Sequence, residues 1–336
     1  MLNPLTIEKI KRFKNIKRGY ISFIILAILI ILSLFAELFI NSKALIVRHN
    51  GTYYFPTYSK MIPGKTFGLD YNYETNYREL KEKFKKEKSS NFVILPPVPY
   101  NPYEIDNRKP ADYGKDISKG PYDHLAPSMK TSHYFGRDMS GRDVLARLMY
   151  GFRIAFFFSL LLLIASYSIG ITIGSFMGYL GGKFDLIFQR IIEIWSNIPY
   201  LYAIIIIASI ITPSFSTLLL IMIFFDWTKM TWYMRTAVYK EREREYVLAA
   251  KALGASRLRI IYKHIIPNTV SLIVTFVPFS IAAGITALTA LDFLNFGLPA
   301  PTPSWGELLQ QAKAGGIQTP WIGASIITAL VVVLSM

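Results

Sequence analysis

Few of the 336 residues are placed to do chemistry. Asp226 and Lys229 lie three positions apart inside an apolar run, and Arg190 and Glu193 repeat that spacing earlier in the chain. Residues at i and i+3 share a helix face, so each set predicts an ion pair. Charges inside an apolar segment are costly and are functional candidates by default. For Asp226 and Lys229 two readings stay open: an internal or inter-subunit pair, and a pore-lining contact. Arg190 and Glu193 read as a pair near an inner helix end. Gly64–Thr66 spells GKT, but position 59 is Ser59, so the spacing of a phosphate-binding loop is missing and the triplet reads as coincidence. His49, His124, His133 and His264 are scattered without metal-ligand spacing, and His264 reads as structural. Cysteine is absent, which removes disulfides, thiolate zinc sites, iron–sulfur clusters and cysteine nucleophiles. No catalytic set, metal or cofactor site is expected in this chain.

The elements that must hold these residues are membrane helices. Apolar residues make up 52%, aromatics 15% and charged residues 18% of the chain, with a mean hydropathy of +0.33. Soluble domains carry about 25% charge. Spans are predicted at Ile21–Ile40, Ile154–Met177, Ile187–Ile211 with a kink at Pro199, Phe215–Tyr233, Val270–Leu291 and from Trp321 to Met336. The last is short, so a further C-terminal tail is expected. The second span is rich in Ser and Gly, which let helices approach closely in lipid. Residues 41–153 form a polar insert with a short solvated helix at Glu79–Lys88 and turn-rich stretches such as KPADYGKD, expected to fold outside the membrane.

Net charge is 37 − 22 = +15. Residues 1–20 carry six Lys/Arg against one acid, and residues 235–264 carry eight against three. Both blocks abut apolar spans, the positive-inside pattern, so residues 1–20 and the loop 234–268 are expected on the cytoplasmic side. Nucleic-acid binding is excluded, because no aromatic-rich binding motif accompanies the charge.

Glu245–Asn268 (EYVLAAKALGASRLRIIYKHIIPN) reads as a helix–turn–helix. Tyr246, Ala249, Ala250 and Leu253 share one helical face, a shallow ridge that another protein's groove could accept. Gly254 is expected to end the first helix, Ser256 to cap the second, and Pro267 to break the chain before the fifth span. The bland alternative is a basic amphipathic helix on lipid headgroups.

This stretch resembles the coupling motif of ABC-importer permeases, in the variant of the peptide importers. Ala249, Ala250, Gly254 and Pro267 fall on its register, whereas Leu248, His264 and Ile266 depart from its general form. The resemblance implies that Glu245, Tyr246, Ala249, Ala250, Leu253, Gly254, Ala255, Ser256 and Pro267 meet an ATP-hydrolysing subunit. Trp227 and Arg235 fit the family's pattern before that segment. Phe135–Arg153 (FGRDMSGRDVLARLMYGFR) resembles the family's GRD signature through Gly141, Arg142, Asp143, Arg147 and Arg153, with Arg137 where Thr is usual. Here Arg142 and Asp143 are expected to pair across the Gly turn, and Arg147 and Arg153 to reach lipid phosphates. Leu291–Leu309 resembles the family's LDFLGFGLP loop, with Asn295 at a usual Gly and a short helix from Ser304. The long insert and Asn41–Pro56 resemble the microcin C-type subgroup.

The fold so implied is an all-α polytopic membrane protein. Six transmembrane helices form a type I ABC-importer permease, with an extracytoplasmic insert between helices 1 and 2. Residues 21–40 anchor it and 154–336 form the permease domain. The implied function is a permease subunit of a peptide importer in the inner membrane, without its own ATPase site. Asp226 and Lys229 could then meet a zwitterionic peptide. Expected partners are a second homologous permease, ABC ATPase subunits that bind ATP, an extracytoplasmic solute-binding protein, a peptide substrate and lipid. A membrane-embedded enzyme lacks a paired acid or nucleophile–base set, and an ATP-independent channel lacks a filter-like carbonyl run or charge ring.

Overall fold

A computed structural model describes residues 13–87, 90–106 and 122–336. The basic block before residue 13, Lys88 of the predicted solvated helix and the KPADYGKD stretch lie outside the described residues. In chain order the elements are α1 (Lys17–Leu34), α2 (Ala36–Phe39), β1 (Ile46–His49), β2 (Thr52–Tyr54), α3 (Tyr77–Glu87) and β3 (Phe92–Ile94). They continue with α4 (Val144–Leu180), α5 (Gly182–Ser196), α6 (Tyr200–Ile210), α7 (Phe215–Glu241) and α8 (Glu245–Ala252). The chain closes with α9 (Arg257–Phe293), α10 (Trp305–Gly315) and α11 (Pro320–Ser335).

The chain divides into two compact units, one running to Ile154 and resuming at Ala300, the other covering Ala155–Pro299. In the first unit the insert is not all-helical. β1 pairs antiparallel with β2 (Val47↔Tyr54) and with β3 (Val47↔Val93). Asn50 (φ 47) and Gly51 (φ 82) both take the left-handed conformation between β1 and β2, the requirement of a tight two-residue hairpin turn. Val47 and Val93 point inward with Phe67, Tyr77, Leu80 and Phe84, so the amphipathic α3 closes one face of the sheet. The GKT triplet lies in a short helical turn, Gly64–Phe67, whose Phe67 enters this core.

In the second unit the Ser/Gly-rich part of α4 lies against α7. A Cβ at Gly170, Gly174 or Gly178 would fall 2.7, 2.4 or 2.6 Å from the carbonyl oxygens of Trp227, Thr231 and Arg235. Only hydrogen fits there, so the spacing of four residues sets the register of two helices in contact. α5 and α6 meet at a 71° bend, not a gentle kink. Pro199 is the residue before α6 and holds an extended ψ of 100°, which opens the helical path altogether.

α1, α4 and α9 are long and apolar enough to cross a membrane, and the bent α5–α6 pair adds a fourth if taken as one span. α7 has 27 residues but carries Asp226, Lys229 and a polar second half. α11 has 16 residues. Many large apolar side chains on these helices face outward, among them Ile28, Ile31, Ile206 and Phe279, as lipid-facing helices require.

Candidate functional site

The GRD segment builds a buried charge network in the first unit. Gly141 turns at φ 83, which lets the chain fold back on Asp138. Asp138 Oδ1 accepts from the Ser140 and Arg142 amides at 2.9 Å each, and its Oδ2 accepts from Arg142 Nε at 2.7 Å. Asp143 does not pair with Arg142. Its Oδ1 caps α4 by accepting from the Ala146 amide at 2.7 Å, and its Oδ2 meets His133 Nδ1 at 2.7 Å. His133 Nε2 reaches Asp106 at 3.0 Å while the ring stacks on Tyr100.

Arg147 does not reach lipid either. It is fully buried, bonded to Glu307 of α10 and to the carbonyls of Pro102 (3.0 Å) and Thr302 (3.2 Å). Arg142 also bonds Glu307. Burial disfavours the Arg142 cation, but Asp138 and Glu307 outweigh it and hold its pKa above the usual guanidinium value. Arg153 binds Glu37 at 2.7 Å and the Ser33 carbonyl, tying α4 to the end of α1. Arg137, where the family usually has Thr, is buried and donates to the Asp106 carbonyl at 2.8 Å. The segment is an internal clamp, because five-donor guanidiniums satisfy several carbonyls and carboxylates at once. Sequence reasoning missed Glu307, His133 and Asp106. A lone histidine between distant carboxylates leaves no spacing signal.

The second unit carries the coupling segment. α8 buries Val247 and Ala250 beside Val238, Ile260 and Ile265. Leu253 is 88% exposed and Leu248 49% exposed, and Ala249 is exposed with them. The expected ridge of Tyr246, Ala249, Ala250 and Leu253 is therefore divided. Ala250 faces the core, and Tyr246 is half-buried with its hydroxyl donating to Glu241 at 2.7 Å. Burial and that carboxylate raise the Tyr246 pKa to about 12. Leu248, a departure from the general motif, joins the outer face. Gly254 takes φ 78, its amide donates to the Lys251 carbonyl, and the Ala255 amide donates to the Ala250 carbonyl. These two bonds make a Schellman cap. Glu245 opens α8 as its first-turn acid, and Ser256 Oγ accepts from the Arg259 amide at 3.4 Å.

Pro267 does not break the chain. α9 runs through it, with a π-helical turn over Ile260–Ile265 immediately before. The wider turn makes room for the proline ring, and Asn268 Nδ2 takes up the His264 carbonyl at 2.6 Å.

Asp226 and Lys229 do pair, at 2.8 Å, on the wall of a cavity of about 220 Å³ shared by α4, α6, α7 and α9. Tyr167, Tyr200, Tyr233, Phe276 and Ser280 also line it. Arg190 and Glu193 pair at 2.6 Å on an exposed face, with side chains 80% and 45% exposed, and neither lines this cavity. Arg235 grips the buried Asp185 through two bonds of 2.5 and 2.6 Å, joining α5 to α7. Sequence reasoning missed Asp185, which lies in the first turn of α5. Asn295, at the usual glycine, takes φ 63, a conformation asparagine tolerates.

The family described as binding-protein-dependent transport system inner membrane component matches residues 170–336. The peptidoglycan transport system permease protein YejE of Agrobacterium fabrum is 36% identical, covering 99% of this chain and 90% of the relative. The inner membrane ABC transporter permease protein YejE of Escherichia coli is 36% identical over 100% of this chain and 94% of its own length. The dipeptide transport system permease protein DppC of Bacillus subtilis is 37% identical over 55% of this chain. The chain belongs to the binding-protein-dependent transport system inner membrane components. It is a multi-pass inner-membrane permease component of an ABC transporter and not an enzyme.

Proposed function

We propose that this chain forms, with a second homologous permease, the pathway by which peptides or peptide-like compounds cross the inner membrane. The N-terminus and residues 234–268 lie in the cytoplasm, six spans cross the bilayer, and the insert lies outside, where a solute-binding protein delivers cargo. ATP is bound and hydrolysed by separate subunits that seat α8 and the turn after it. Relatives named for peptidoglycan and dipeptide transport support the cargo class.

The observation that carries this reading is the outer face of α8. Leu253 is 88% exposed beside the Gly254 turn, and a polar cap behind it fixes the turn. An apolar side chain so displayed in a basic segment suits a socket on a protein partner. The chain has no cysteine of its own, so Leu253→Cys provides a single thiol. In the assembled complex it is expected to crosslink to the ATPase subunit. Gly254→Val forces a β-branched residue into the left-handed region and is expected to leave the chain inserted while uptake per ATP hydrolysed falls at least tenfold. Crosslinks that never reach a nucleotide-hydrolysing subunit, or wild-type coupling in Gly254→Val, would overturn the reading.

A further inference from the structure

The Asp226–Lys229 pair is lopsided. Lys229 is 72% exposed at its side chain and Asp226 only 21%. Oδ1 of Asp226 accepts from Lys229 Nζ, and no described residue donates to Oδ2. A charge taken out of water repays its desolvation only where hydrogen bonds satisfy its remaining lone pairs, and the second oxygen of this largely buried carboxylate has no such donor among the described residues. The pair also sits near the midpoint of α7, where a charge is most expensive in a bilayer. The carboxylate faces a slot walled by Tyr167, Tyr200 and the stacked Tyr233–Phe276 rings, 4.1 Å between centroids. The slot, about 220 Å³, is smaller than a typical drug-sized site of about 300–1,000 Å³. It fits one end of a peptide.

We propose that Asp226 receives the free α-ammonium of a peptide in transit, with Lys229 as a displaceable stand-in. When the slot is empty, the lysine neutralises the carboxylate. When a peptide enters, its ammonium takes over that place and the exposed lysine swings away, so Asp226 is never left unmatched. Aromatic walls accept side chains of varied shape and add cation–π attraction to the ammonium. This inference rests on the import reading above and adds to it a recognised chemical group and the residue that reads it.

The test uses the complete complex in proteoliposomes, supplied with a synthetic pool of peptides two to eight residues long. Half of each peptide is N-acetylated, and accumulation is read by mass spectrometry. The wild type is expected to favour free amines by tenfold or more. In Asp226→Asn that ratio is expected to fall close to one while acetylated peptides still enter. Asp226→Glu, which retains the carboxylate, is expected to keep the preference. An unchanged ratio in Asp226→Asn, no preference in the wild type, or failure of Asp226→Asn to assemble would each overturn the inference, the last in favour of a structural pair. Absence of ATP-dependent accumulation of either form by the wild type would instead reject the import reading itself.

Discussion

Glu307 serves two guanidiniums, those of Arg142 and Arg147. Removing one member of a buried ion network strands a charge and costs about 3–5 kcal/mol. Glu307→Gln is therefore expected to destabilise the first unit by about that amount, read as an earlier loss of the monodisperse peak when detergent-solubilised protein is heated. A change below about 1 kcal/mol would mean that solvent already screens the network. Tyr246 makes a pH prediction. Its pKa is raised to about 12 from an ordinary value of 10.0, so the fold prefers the neutral phenol. That contribution is fully present below pH 10 and is lost as pH rises from 10 towards 12. Tyr246→Phe is expected to flatten the alkaline loss of stability in this window. An unchanged alkaline profile would show that the phenol titrates free of Glu241.

At the scale of elements, the glycine column of α4 and the turn at Gly254 were legible, because each depends on one residue type at fixed spacing. Gly174→Leu is expected to prevent close packing of α4 on α7. Its Cβ alone would lie 2.4 Å from the Thr231 oxygen. Loss of well over half the folded yield should follow, whereas Gly323→Ala, where a Cβ would meet nothing closer than 3.6 Å, should be tolerated far better. The hairpin of the insert was equally legible in His49–Thr52, since Asn-Gly between alternating residues is a strong short-range signal. It went unread beside the aromatic, turn-rich segments around it. Pro199 and Pro267 show what local sequence leaves open. One precedes a 71° bend and the other rides inside a continuous helix. The difference lies in the π turn before Pro267, whose wider path gives the ring room. The arginines of the GRD segment were recognised by their pattern but misdirected, because Glu307 lies 160 residues from Arg147.

For the whole molecule, the two YejE relatives cover the chain from end to end, and DppC covers 55% of it. The insert with its sheet thus belongs to the part shared with the fuller relatives. The proposed topology expects Met129→Cys, at an 81% exposed position, to react with an impermeant thiol reagent on intact cells. Leu258→Cys, at a 57% exposed position, should react only after permeabilisation. The reverse labelling would invert the assignment. One further consequence follows from α9. It starts at Arg257, beside the turn that follows α8, and the same unbroken rod presents Phe276 and Ser280 to the slot that holds Asp226. A thrust on its foot is delivered to the cargo chamber along one helix, past the widened coil at Ile260–Ile265 and the prolines Pro267 and Pro278. Excising one residue from the regular helix beyond that coil would twist the chamber wall by about 100° relative to the foot, leaving the engine attached to a gate that faces the wrong way.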